Sequence, residues 1–195
     1  NNNTNYNTNT IIDFTSLKTS NPDTVAYLEV LDTNISYPVV QTTDNDYYLT
    51  HDFNKTYLQR GAIFADYRNS FDTLSKNTII YGHHRLDNTM FGQIDVLFTN
   101  DYLQNKDHII LLKTENKTYT FKVFSVYEID PEVYYLTTSF QSDSSYLDFL
   151  NTLKQRSVFN FNEELDANTK IITLSTCNLD NTGRLVVHGK LIGER

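Results

Sequence analysis

The run TYTFKVFSVY, residues 118–127, alternates its side chains with a period of two, and that period belongs to a β-strand. Alternation predicts Tyr119, Phe121, Val123, Ser125 and Tyr127 on one face, and Thr118, Thr120, Lys122, Phe124 and Val126 on the other. Similar strand-like runs recur along the chain: ISYPVV, GAIFADY, NTIIYG, HIILL, KIITLST and RLVVHGKLIG, with turn residues between them. An open sheet edge leaves backbone N–H and C=O groups unpaired, so this many short strands in one chain predict a closed or nearly closed sheet.

Two segments break the rhythm. In NTMFGQIDVLFTNDYL, Met90, Phe91, Ile94, Leu97 and Phe98 recur at helical spacing behind Asn88 or Thr89 as cap. Tyr146, Phe149, Leu150 and Leu153 do the same in SDSSYLDFLNTLKQRS. Both are predicted as amphipathic helices lying against the barrel. NDYYLTHDF predicts one more helical turn. SNPDTVAYLEV places Ser20 and Asn21 as a cap and Pro22 at a first helical position, which predicts a short helix ahead of a strand near Leu28 to Leu31.

A chain of 195 residues can bury roughly 70% of the surface its unfolded form exposes, enough for a self-sufficient core. No Pro/Gly/Ser-rich linker divides it, so residues 13–195 are expected to form a single domain. The tract NNNTNYNTNT is too polar to bury itself, and residues 1–12 are expected to be a flexible polar tether or an ordinary frayed terminus. A formal charge of -8 opposes binding to phosphate backbones and anionic headgroups, which excludes nucleic acid as a partner class. No run reaches the ~18 apolar residues of a membrane span.

A single cysteine excludes an internal disulfide and every multi-cysteine zinc site. That residue, Cys177, sits where the apolar run KIITLST gives way to a turn, and Arg184 opens the next run. If NLDNTG is a six-residue hairpin loop, Cys177 lies opposite Arg184. Ile172, Leu174, Leu185 and Val187 then share the apolar face, while Ser175, Cys177 and Arg184 share a more polar one. A guanidinium beside a thiol favours the thiolate and offers donors to an oxyanion. A buried cysteine acting as a small hydrophobe, with Arg184 on a solvated edge, fits these residues equally well.

A thiol nucleophile needs an acid/base partner, usually histidine. In NTIIYGHHRLDNTMF, His83 follows a strand and a glycine where strand passes into loop, the kind of place where functional side chains concentrate. His84 would point elsewhere, and His51 and His108 are expected at the surface. His188 shares the face of Arg184, a position open to a supporting role behind it but more often filled by a structural residue. HH and HDF lack the ligand spacing of a metal site, and no phosphate loop, dinucleotide fingerprint or EF-hand pattern is present. No metal or organic cofactor is expected.

TLSTC, IIYGHHRLDNTMF and RLVVHGK, supported by YPVVQTTDNDYYLTHDF and GAIFADYRN, together resemble sortases, the cysteine transpeptidases of Gram-positive surfaces, and class B in particular. The resemblance spans about Asn21 to Gly193. It implies a mainly β fold, a closed eight-stranded barrel with peripheral helices, including an N-terminal helix and a class B helix inserted between two late strands around Tyr146 to Gln155. It implies Cys177 as nucleophile, His83 as acid/base group and Arg184 as oxyanion stabiliser, with Asn45, Leu49, Tyr135, Ser175 and Thr176 lining the sorting-signal groove. The activity implied is cleavage after Thr of a motif resembling (N/S)PxT(N/G) through a thioacyl intermediate, followed by joining to an amine of the cell wall. The partners implied are a sorting-signal peptide and a peptidoglycan precursor or other amine acceptor. The place implied is the outer face of the membrane, reached through an N-terminal anchor not included in this chain. A cysteine peptidase acting on the same motif, and a non-catalytic β-rich adhesion module, are the alternatives.

Overall fold

The computed structural model describes residues 10–177 and 183–195; residues 1–9 of the expected tether, 178–182 of the expected hairpin loop and the side chain of Cys177 lie outside what is described. In chain order the elements are α1 (Phe14–Ser20), β1 (Thr24–Val30), β2 (Ser36–Val40), a 3₁₀ turn (Tyr47–Leu49), β3 (Phe64–Ala65), β4 (Asn77–His83), a 3₁₀ helix (Phe91–Phe98), α2 (Asn100–Asn105), β5 (Ile109–Lys113), β6 (Thr118–Ile129), a second 3₁₀ turn (Tyr134–Leu136), α3 (Asp143–Arg156), β7 (Ile171–Cys177) and β8 (Arg184–Glu194). The strands close into a barrel in the order β1, β2, β3, β4, β7, β8, β6, β5. β2–β3 and β4–β7 pair in parallel and the remaining neighbours are antiparallel. The closed barrel and the amphipathic helix α3 are as the sequence predicts.

Two apolar layers hold the sheet. The lumen is filled by Leu28, Val39, Ile80, Phe121, Ile172, Leu174, Val187 and their neighbours. Outside the barrel, α3 lays Tyr146, Phe149, Leu150 and Leu153 over Phe124, Tyr127, Ile171 and Val186. The helix starts where Ser142 and Ser145 cap each other reciprocally, and Lys154 and Arg156 stand in its last turn where the carbonyl ends favour cations.

Three expectations about these elements need correction. The N-terminal helix lies before Asn21, not after it: Asp13 is the N-cap, accepting the Ser16 N–H, and Asn21 ends the helix. Asn21 caps no following helix: its Oδ1 accepts the Asp23 N–H at 2.9 Å within a turn, its Nδ2 donates to the Tyr48 hydroxyl and the Phe53 carbonyl, both at 2.8 Å, and the chain passes into β1 at Thr24. The segment 91–98 is a 3₁₀ helix followed by the separate α2, because Thr99 is extended and caps the Tyr102 N–H. Phe91, Ile94 and Leu97, three apart, stack on one face of a three-residue turn. GAIFADY contributes a strand of only Phe64–Ala65.

In β6 the predicted faces hold for Tyr119, Phe121 and Val123, which point into the lumen. A register shift between Val123 and Ser125 then inserts Phe124 as an extra residue. Such a bulge exchanges the faces downstream. Val126 therefore enters the lumen, while Phe124 and Tyr127 pack outside under α3.

Candidate active site

β4 and β7 run in parallel, with pairs from Asn77↔Ile171 to His83↔Cys177. Both strands end on this last pair, so the imidazole and the cysteine position leave the sheet side by side at one end of the barrel. β8 returns antiparallel to β7, from Ser175↔Val186 to Ile171↔Lys190, and on its other side pairs Arg184 with Ile129 of β6. The β7–β8 ladder ends at Ser175↔Val186, two residues short of Cys177 on one strand and of Arg184 on the other, so both positions lie at the same end of this strand pair. Topology alone therefore collects the three predicted catalytic positions at a single rim.

His83 is 4% exposed. Its Nε2 donates to the Leu49 carbonyl at 2.7 Å, which fixes the hydrogen on Nε2 because a carbonyl can only accept. Two glycines make this contact possible. A Cβ on Gly82 would stand 2.5 Å from the Ile63 side chain and 2.8 Å from Phe91. Gly61, at φ +59, passes so close to the Tyr47–Leu49 turn that a Cβ would meet the Tyr48 carbonyl oxygen at 2.3 Å and that of Leu49 at 2.8 Å. Arg184 is half-buried, with a long bond of 3.4 Å from Nη1 to the Gly183 carbonyl.

The predicted groove residues fall into two sets. Asn45 and Leu49 belong to the loop and turn beside His83; Asn45 Nδ2 donates to Asp66 at 3.0 Å, and its Oδ1 accepts the Tyr67 N–H at 3.0 Å. Tyr135 and Ser175 are buried and share a hydroxyl bond of 2.9 Å. Thr176 is buried too, and its Oγ1 accepts the Leu185 N–H at 2.9 Å.

The face carrying Thr173, Ser175 and His188 is polar, as predicted, yet it is sealed from water by α3 and the 134–137 turn. His188 is fully buried. The Thr173 hydroxyl donates to Asn77 Oδ1 at 2.7 Å, so it accepts from His188 Nδ1 at 2.9 Å, and His188 Nε2 accepts the Tyr127 O–H at 2.9 Å. Burial first, and Arg156 second, push the His188 pKa down to about 3, which keeps this ring neutral across the working range. Asn77 Nδ2 completes the chain by donating to the carbonyls of Tyr135 and Thr137 at 3.2 and 3.0 Å.

Of the other histidines, His51 stacks on Tyr47, His84 contacts Asp95 at 2.8 Å, and His108 bonds the Tyr102 carbonyl at 2.8 Å; His51 and His108, expected at the surface, are both half-buried. Sequence reasoning missed Asp66, Arg68 and Asn77. The signal available was local: Asp and Arg two residues apart in ADYRN, after an apolar run. Among the described residues no group of three or more His, Cys, Asp or Glu side chains is placed to hold a metal ion.

A family model described as Sortase domain matches residues 28–192. Sortase B of Listeria monocytogenes serovar 1/2a is 38% identical over 179 residues, covering 90% of this chain and 72% of that relative. A solved Staphylococcus aureus sortase B–substrate complex superposes with a TM-score of 0.86 at 36% identity, over 92% of this chain and 84% of that one. A sortase B complexed with triglycine superposes at 0.87 with 36% identity, over 92% and 85%.

Proposed function

This chain belongs to the sortase family, in its class B branch, and is a cysteine transpeptidase of cell-wall sorting; on that premise we propose Cys177 as nucleophile, His83 as proton-transfer group and Arg184 as oxyanion stabiliser. The observation that carries the assignment is the parallel pair His83↔Cys177 at the rim where Arg184 begins the next strand. Sortases are cysteine transpeptidases that act at the cell surface, and the enzymatic family sets the non-catalytic adhesion module aside. The membrane anchor belongs to this proposal as an N-terminal segment ahead of residue 1; no helix among the described residues is long and apolar enough to cross a membrane.

The substrate is an extended sorting peptide resembling (N/S)PxT(N/G). Its cleft has the turn of Asn45 and Leu49 as one rim and the Tyr134–Leu136 turn as the other, with Tyr135 and Ser175 supporting the second rim and Thr176 contributing main chain. The Cys177 thiolate adds to the carbonyl carbon of the motif's Thr, and Arg184 holds the oxyanion. As the C–N bond breaks, His83 gives a proton to the departing amine, leaving a thioester on Cys177. Since Nε2 is engaged by the Leu49 carbonyl, Nδ1 is the nitrogen that loses and regains this proton. An amine of a peptidoglycan precursor then attacks the thioester, His83 takes up its proton, and thiolate leaves as the new amide forms. The triglycine and substrate complexes of other sortase B proteins support both partner classes.

Mass spectrometry of the enzyme mixed with an NPQTN-type peptide tests this directly. The expected adduct is the acyl fragment ending in Thr on the Cys177 peptide, discharged by added triglycine to an amide. A rival reading, hydrolysis of the same thioester by water, is supported instead if amine alters neither the product nor the rate. Absence of any adduct on Cys177 overturns the assignment of nucleophile.

A further inference from the structure

A carboxylate buried away from water is costly unless donors surround it, and the Asp66 side chain is fully buried. Its Oδ1 accepts the Arg68 N–H at 3.0 Å and Arg68 Nε at 2.8 Å. Its Oδ2 accepts Arg68 Nη2 at 2.7 Å, the Tyr81 hydroxyl at 2.8 Å and Asn45 Nδ2 at 3.0 Å. Two of these donors are also tied to loops. Asn45 sits in the loop that leads into the turn ending at Leu49, the residue whose carbonyl holds His83. Arg68 Nη2 donates a second time, to the Leu136 carbonyl at 3.0 Å, so that three successive carbonyls of the opposite turn, 135 to 137, are held by Asn77 and Arg68.

We propose that Asp66 is a positioning residue that fixes the separation of the two cleft rims, acting through Asn45 on one and through Arg68 on the other. It touches neither peptide nor reacting atoms, and the proposal rests on the cleft reading given above. A carboxylate suits the task because it accepts from several donors at once, and a bidentate guanidinium leaves little rotational freedom between the parts it joins. An ion pair that served stability alone would need only Arg68. The Asn45 contact and the second Arg68 bond to Leu136 are what make a strut of it.

The test is Asp66→Asn, nearly equal in volume, in which an amide N–H faces donors where Oδ2 accepted them. Amide hydrogen exchange is expected to quicken about tenfold or more in 44–49 and 134–137 together, with α3 unchanged. With NPQTN-type peptide, KM is expected to rise at least about fivefold while kcat stays within about twofold and the alkylation rate of Cys177 keeps its pH profile. Response of one rim alone, of neither, or an unchanged KM overturns the proposal. If Asp66→Asn does not fold, Arg68→Lys is measured in its place. It keeps the charge but loses the bidentate reach, and exchange is expected to quicken in 134–137 only; protection there equal to wild type overturns the proposal. A wild-type protein inert toward the peptide sinks the function reading, and the exchange measurement still decides this one.

Discussion

The two faces of β7 are built from different chemistry although both are buried. Toward the lumen, Ile172 and Leu174 meet Val187 and Phe121 in continuous hydrocarbon. Toward α3, Thr173 and Ser175 meet His188, Tyr127, Tyr135 and Asn77 in a directed set of hydrogen bonds. Hydrocarbon packing is non-directional and supplies cohesion, whereas each bond of the outer set specifies where its partner must stand. The outer face leads to the rim of Cys177 and Arg184. Cohesion and placement are thus divided between the two sides of one strand.

Substitutions can break that division. The largest effect is expected from Cys177→Ala: transpeptidation falls to background in a fluorogenic peptide assay while the thermal midpoint stays at the wild-type value. Arg184→Ala is expected to lose on the order of 10²–10³ in kcat through the missing oxyanion donor; a loss below about threefold would make that arginine structural. Leu174→Ala probes the lumen, with roughly 2–5 kcal/mol lost in denaturant titration and kcat/KM of the folded fraction little changed. If kcat/KM instead falls about a hundredfold, cohesion and placement are not separate.

His188 gives the smallest and most specific signal. Its folded pKa lies below the unfolded value, so between about 6.5 and about 3 the unfolded chain binds the extra proton. Stability is therefore fully present above pH 6.5 and declines on acidification, by about 1.4 kcal/mol per pH unit for one group. The Asp66 carboxyl is also depressed, chiefly by Arg68 acting against the cost of burial, and its contribution is lost only at lower pH, below the ordinary Asp value of 3.8. Against the cost of burial, Lys190 and Lys122 likewise hold Glu163 below its ordinary 4.5. Urea titrations from pH 5.5 to 6.5 therefore separate the histidine from both carboxylates, and His188→Gln is expected to flatten the slope there by up to one proton. An unflattened slope would mean that His188 is charged in the folded protein.

The barrel was legible in the sequence because strand alternation and turn residues are local signals, and α3 was legible because four apolar residues at helical spacing had to be buried somewhere. The bulge at Phe124 was not, since its cause is the pairing of β6 with a strand more than sixty residues away. His83, Cys177 and Arg184 could be singled out by type and by position at strand ends. Asp66 could not, because a carboxylate in a loop reads as solvated until the fold brings Asn45, Tyr81 and Arg68 around it. His188 was placed on the right face, but its neutrality depends on burial that only α3 supplies.

The side-by-side ending of β4 and β7 also orders events in time. A chain made from its amino end presents the imidazole early, and the strand bearing the sulfur is among the last to arrive; non-local pairings of this kind form late in folding as well. Until that closing strand is seated, the nascent polypeptide has a loose thiol and no assembled machinery. If Cys177 and His83 act as proposed, the capacity to cut and rejoin peptides would appear only with the finished barrel.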